Sequence, residues 1–268
     1  TRNKTKFLTS YPLFEDQKGF YFIEGDVVNF NVNLPINPQY VIYGATESAS
    51  KLTITNPLKM FEVIVKGTWN VLEICKLCKP EGILILSSGA VYGKQNKKFF
   101  TERDYGCIDF ANSFSAYTTG KVAQEHLAIL YFYMYNLPIK IARIFTLVGP
   151  HLPLNAHFAI GNFIKNALEG GPIVIKGDGN SIRSYLYLGD LVIWLFKILL
   201  EGKKGEVYNV GSDKAVSIKE LANIIASCTK TLFQLEKEIE VVVEKKEVFS
   251  SASDIYVPSI EKAKKELG

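Results

Sequence analysis

Ile83-Leu84-Ile85-Leu86-Ser87-Ser88-Gly89-Ala90-Val91-Tyr92-Gly93 decides how this chain folds. Four consecutive aliphatic side chains suit a strand buried on both faces, as strands of a parallel sheet are. The hydroxyls of Ser87 and Ser88 fall where that strand ends, and Gly89 opens a turn. Open α/β sheets bind their ligands at the carboxyl ends of strands, so chemistry is expected here. Further on, Tyr117-Thr118-Thr119-Gly120-Lys121 sets a phenol and an ammonium on one face of a helix. A free Tyr, with a pKa of about 10, is a poor base at neutral pH. A fixed positive charge beside it favours the phenolate. With a Ser hydroxyl as the second hydrogen-bonding group, such a set moves a proton on and off an alcohol while a hydride leaves the same carbon.

Working outward, apolar strands alternate with amphipathic helices. Strands are expected at Phe20 to Glu24, Tyr40 to Gly44, Gly82 to Ser87 and Pro138 to Arg143. Helical patterns fill Pro57 to Cys78 and Ser113 to Tyr135. This alternation predicts an α/β fold with a mostly parallel, Rossmann-like sheet. After Gly149-Pro150 the pattern changes. Short strands (Ile173 to Lys176, Val207 to Asn209, Ile239 to Val243) mix with helices near Phe158 to Leu168 and Leu188 to Leu200. Ser217-Ile218-Lys219-Glu220 reads as a capping box that opens another helix, and Ser259 to Gly268 as a last one. The division expected is residues 1–150 for the sheet domain and 151–268 for a smaller α/β lobe interleaved with it.

The ordered segments make the chain recognisable. Gly25-Asp26-Val27, Tyr40-Val41-Ile42-Tyr43-Gly44-Ala45-Thr46 and Gly67-Thr68-Trp69-Asn70-Val71-Leu72-Glu73 precede the two motifs above. Ala142-Arg143-Ile144-Phe145, Val148-Gly149-Pro150, Gly177-Asp178-Gly179 before Arg183, Tyr187, Asp190-Leu191 and Tyr208-Asn209-Val210-Gly211 follow them. Over nearly its whole length the chain resembles extended short-chain dehydrogenases/reductases of the NAD-dependent epimerase/dehydratase family, which modify nucleotide sugars.

The resemblance implies roles. Ser88, Tyr117 and Lys121 match the catalytic set, with Tyr117 as general acid/base on a sugar hydroxyl and Lys121 tuning it and holding the nicotinamide ribose. Asp26 and Val27 match adenine contacts. Gly44, Ala45 and Thr46 match the strand end beneath the cofactor phosphates, and Ser87 and Phe145 match neighbours of the nicotinamide. Ser88, Gly89, Asn162, Phe163 and Arg183 match the substrate side, with Arg183 on the diphosphate, which a guanidinium suits. NAD is the implied cofactor; Arg2 could meet a 2′-phosphate, which leaves NADP open. A nucleotide-diphosphate sugar is the implied partner, and a homodimer the implied state of the full-length parent.

The two residues after Ser88 narrow the activity. Family dehydratases carry Asp-Glu there, and related decarboxylases also carry a Glu. Removing water needs an acid for the hydroxyl and a base for the carbon-bound proton. Gly89 and Ala90 supply neither. This favours a 4-epimerase or a 4-ketoreductase over a 4,6-dehydratase.

One absence stands against an intact enzyme. No Gly-rich G-x-G-x-x-G or G-x-x-G-x-x-G turn follows a strand to hold the pyrophosphate. Thr1-Arg2-Asn3 matches the family just after its second strand, so roughly 30 residues, one strand–turn–helix unit, are expected ahead of it. Without that central strand, two sheet edges are expected to stand open. Two alternatives follow: a non-catalytic relic that binds a sugar nucleotide, and an interaction partner that pairs through its edges.

Composition excludes other classes. Charged residues make up 22%, hydrophobic ones 47%, and the net charge is +4, values of a folded protein without a basic patch for nucleic acid. No apolar run approaches the roughly 18 residues of a membrane span, and no signal peptide is read at the start. Cys75-Lys76-Leu77-Cys78 has a redox or zinc spacing, but it lies in an amphipathic helix without a second ligand pair. His126, His151 and His157 are scattered, so no metal is expected. A reducing cytoplasm fits the four cysteines.

Overall fold

Side chains alternate across a strand, so the run at Ile83–Leu86 must be covered on both sides. A computed structural model describes residues 1–29, 37–46, 54–156, 158–244 and 254–268, and there both sides are covered. His157 lies outside the described residues. Strand β1 (Tyr40–Tyr43) pairs with β2 (Gly82–Ser88), β2 with β3 (Ile139–Ile144), and β3 with β8 (Val207–Val210). Every pair is parallel.

Helix α2 (Pro57–Cys78) starts where the Asn56 side chain accepts the Lys59 N–H at 3.0 Å, with Pro57 in the first turn. It ends at Lys79, whose φ of 47° releases the chain. Helix α3 (Ala116–Tyr135) ends the same way at Asn136, φ 52°. These two helices bury Leu72, Cys75, Ala128 and Tyr131 against Ile83, Ile85, Ile139 and Ile141. The opposite face carries α5 (Leu188–Glu201) and α7 (Glu261–Leu267), which press Leu191, Ile198, Leu199 and Ala263 onto Leu84, Ala142, Tyr208 and Val210. Full burial of each such aliphatic side chain contributes about 1.5–3 kcal/mol.

A third core lies between α4 (Ala159–Leu168), α6 (Ile218–Phe233) and the parallel pair β5 (Ile173–Ile175) and β10 (Val241–Val243). The capping box is present at Ser217 and Glu220. Two small sheets complete the fold: β4 (Leu147–Val148) with β7 (Leu186–Tyr187), and β6 (Ile182–Arg183) between β11 (Ile255–Tyr256) and β9 (Val216–Ser217). Residues beyond 150 therefore build the third core and also supply β8, α5 and α7 to the main sheet.

One expected strand does not form. Phe20 to Glu24 runs as irregular chain after the short helix α1 (Lys4–Ser10). Apart from a local turn bond from Phe20 N to Gln17 O, the long-range backbone bonds here are Thr1 N to Ile23 O and Gly25 N to Thr1 O, each 3.0 Å. Two such bonds are too few for a ladder. Among the described residues β1 is an edge strand, paired on the β2 side alone.

Candidate active site

At the end of β2 the Ser88 Oγ accepts the Ala90 N–H at 3.2 Å and starts a tight turn over Gly89–Tyr92. Gly93 closes it at φ 64°, where an added Cβ would stand 1.9 Å from the Cys107 carbonyl oxygen. Only glycine fits both the dihedral and the space. Opposite, the Asn112 side chain accepts the Phe114 N–H at 2.9 Å and leads into α3, whose first turns carry Tyr117 and Lys121. The structure thus brings Ser88, Tyr117 and Lys121 to one strand end.

Lys121 is only 3% exposed. Its ammonium donates to the Leu86 carbonyl at 2.8 Å and to Gln124 Oε1 at 2.9 Å, 5.9 Å from the centre of the Tyr117 ring. Gln124 is held in turn by Thr68 at 3.0 Å. Burial pushes Lys121 down to about 8, with Glu125 opposing. Burial also raises Tyr117, and an interaction with the Ser88 side chain opposes that. The expected lowering of the phenol by Lys121 is therefore not what this geometry gives: the ammonium is tied to Leu86 and Gln124, and desolvation dominates. Ser88 is the group that draws the phenol down.

Tyr256 is the residue that the sequence reading missed. Its hydroxyl also interacts with Ser88, and its ring lies 4.6 Å from that of Phe145. A Cβ on Gly89 would meet the Tyr256 Oη at 2.6 Å and the Phe145 ring at 2.7 Å. A side chain at position 89 would therefore require the Tyr256 and Phe145 rings to move. Only the pairing of Tyr256 with Arg183 across β11 and β6 brings this residue in from the far end of the chain, and no local pattern encodes that pairing.

Arg183 lies close by, its guanidinium carbon 6.0 Å from the Tyr256 ring. It is engaged with Asp254, through the carboxylate at 2.5 Å and the carbonyl at 2.6 Å. Phe163 is 3% exposed inside the third core, so it serves packing. Asn162 is half-buried one position earlier, and its N–H bonds the Phe158 carbonyl.

The expected adenosine contacts surround a cavity of about 400 Å³ lined by Thr1, Arg2, Asp26, Val27, Ala45 and Thr46, among others. The Asp26 carboxylate accepts the Val28 N–H at 2.9 Å, and the Val27 carbonyl accepts Asn70 Nδ2 at 3.0 Å. Gly44 sits just outside, where an added Cβ would stand 2.8 Å from the Leu86 side chain. Carboxylate, apolar walls and threonine fit the adenosine half of a dinucleotide, and the Tyr117–Lys121 end fits the nicotinamide half. Phe145 is 4% exposed beside Gly89. The Ser87 hydroxyl faces inward and donates to Glu125 at 2.5 Å, while its backbone pairs with Arg143 in the sheet.

Behind the site runs a buried polar network that the sequence did not announce. Glu125 receives the Arg143 fork at 2.7 Å from Nη2 and 3.0 Å from Nε. Arg143 Nη1 donates to the Tyr92 hydroxyl at 2.8 Å, and Tyr92 donates to Asn209 Oδ1 at 2.7 Å.

Comparison with known proteins places this geometry. The model of the NAD dependent epimerase/dehydratase family matches residues 6–211, and the chain belongs to that family. UDP-glucuronic acid decarboxylase 6 of Arabidopsis thaliana is 28% identical over 272 residues, covering 100% of this chain and 73% of that protein. UDP-glucuronic acid decarboxylase 4 of the same plant is 31% identical over 170 residues, 63% of this chain but 38% of the relative. The UDP-glucuronic acid 4-epimerase of Bacillus cereus, solved with NAD, superposes with a TM-score of 0.77 at 24% identity, covering 99% of this chain and 80% of that one. At that identity the likeness shows the shared fold.

Proposed function

We propose that this chain carries out oxidation and reduction at a single sugar carbon of a nucleotide-diphosphate sugar, as a 4-epimerase, or as a 4-ketoreductase when the hydride is delivered once. The observation that carries the reading is Ser88, Tyr117 and Lys121 at one strand end beside Gly89, which is packed against the Tyr256 hydroxyl and the Phe145 ring. Relatives named as decarboxylases share the family, yet Gly89 and Ala90 offer no ionisable group next to Ser88. Tyr256 and Phe145 fill the space where one would stand.

NAD, the cofactor of the family, supplies a hydride acceptor and donor. Asp26, Val27, Ala45 and Thr46 would hold its adenosine side, and Tyr117 and Lys121 its nicotinamide side. Ser88 hydrogen-bonds the sugar oxygen. Tyr117 takes the hydroxyl proton and returns it, with its phenol hydrogen-bonded to Ser88 and the buried Lys121 ammonium 5.9 Å from its ring. Arg183, freed from Asp254, would grip the diphosphate.

Tyr117→Phe should lower turnover by about 10²–10⁴-fold, the usual worth of a positioned acid/base. Calorimetric affinity for the sugar nucleotide should stay within about threefold, since the ring and its packing remain. Unchanged turnover would contradict the mechanism.

A further inference from the structure

A buried ion pair is costly to form and is weak evidence of stabilisation, so its surroundings have to explain it. Glu125 and Arg143 have side chains only 10% and 13% exposed and meet at 2.7 Å. Apart from an Arg143 Nη1 bond to the Glu102 carbonyl at 3.3 Å, their remaining bonds run to the strand end and turn that carry Ser88. Glu125 holds the Ser87 hydroxyl, immediately before Ser88, and lies one helical turn after Lys121. Arg143 lies on β3, directly opposite Ser87 in the sheet, and stacks 4.8 Å over the Tyr92 ring of the turn after Ser88.

We propose that Glu125, with Arg143 as its counter-ion, is a positioning residue of the reaction: it fixes the Ser87-Ser88 strand end through Ser87 Oγ and supplies the negative charge that keeps Lys121 cationic. This rests on the reading that Ser88, Tyr117 and Lys121 act together. Glu125 is the charge that opposes the effect of burial on Lys121. The other groups facing Lys121 are neutral near pH 8. They are the Leu86 carbonyl on β2, Gln124 with Thr68 of α2 behind it, and Tyr117, whose phenol is raised by burial. Tyr43 of β1, which meets Thr68, is pushed by burial to about 12. Arg143 is a further cation on this side, and the Glu125 carboxylate, carried by α3, takes its fork.

The test separates tuning from turnover. With ¹³C-labelled lysine, Lys121 should titrate about one pH unit lower in Glu125→Gln than in the parent protein, because a neighbouring opposite charge is worth about that much. In steady-state kinetics the same variant should lose at least about tenfold in kcat with KM for the sugar nucleotide within about threefold, the signature of lost positioning. The alkaline limb of its pH profile should fall by the same shift, and Glu125→Asp should restore the limb. Ser87→Ala keeps the charge and removes the hydrogen bond, so kcat should drop while the limb stays. A Glu125→Gln protein with both titration and limb unmoved overturns the proposal. If that variant does not fold, normal kcat in Ser87→Ala overturns it. A shifted Lys121 titration in a protein without turnover on any sugar nucleotide would leave Glu125 as the tuning group and refute the assigned reaction instead.

Discussion

Lys121 pits burial against function. Its ammonium is held at about 8 instead of 10.5 because desolvation outweighs Glu125. The folded state therefore binds this proton less tightly than the unfolded chain does. Below pH 8 the full cost, about 3 kcal/mol for such a shift, weighs on folding. Stability then rises between about pH 8 and 10.5, where the folded state has released the proton and the unfolded chain still binds it. Urea midpoints of the parent protein should climb across that window relative to Lys121→Met, which has nothing to titrate there. Parallel curves for the two proteins would contradict the burial argument. Ser88, Tyr117 and Lys121 were legible in sequence because strand exit and helical spacing are local. Tyr256 was not, since it reaches Ser88 only through a pairing between β11 and β6.

At the scale of elements, the turn after β2 fixes the strand end that carries Ser88. Gly93 adopts φ 64° and touches the Cys107 backbone, whose N–H bonds the Tyr92 carbonyl at 3.0 Å. Gly93→Ala should cost at least about 2 kcal/mol in urea unfolding, because a strained dihedral and a backbone clash add. A loss below 0.5 kcal/mol, the range of ordinary surface changes, would mean that the turn rearranges freely. Helices α2 and α5 and strands β2 and β3 were readable from their apolar patterns, and α6 from the capping box at Ser217 and Glu220. The strand expected at Phe20 to Glu24 has the right composition but only two backbone partners at Thr1, and composition alone does not make a ladder.

For the whole molecule, the proposed reaction needs both halves of a cofactor site: the cavity by Asp26 and Thr46 would hold one, and the first turns of α3, with Tyr117 and Lys121, the other. NADH fluorescence should titrate to saturation, and Asp26→Ala should weaken that binding about fivefold or more, the worth of a charged hydrogen bond. An unsaturated titration at millimolar cofactor would instead support a non-catalytic chain. The central claim is oxidation and reduction at one carbon without loss of carbon or water. It is tested most directly by incubating the chain with UDP-glucuronic acid and NAD and following the sugar by proton NMR. The account predicts a new set of C4 resonances at equilibrium with the parent sugar, the six-carbon skeleton intact. Release of CO2 with a pentose product would contradict it and assign the chain to the decarboxylases.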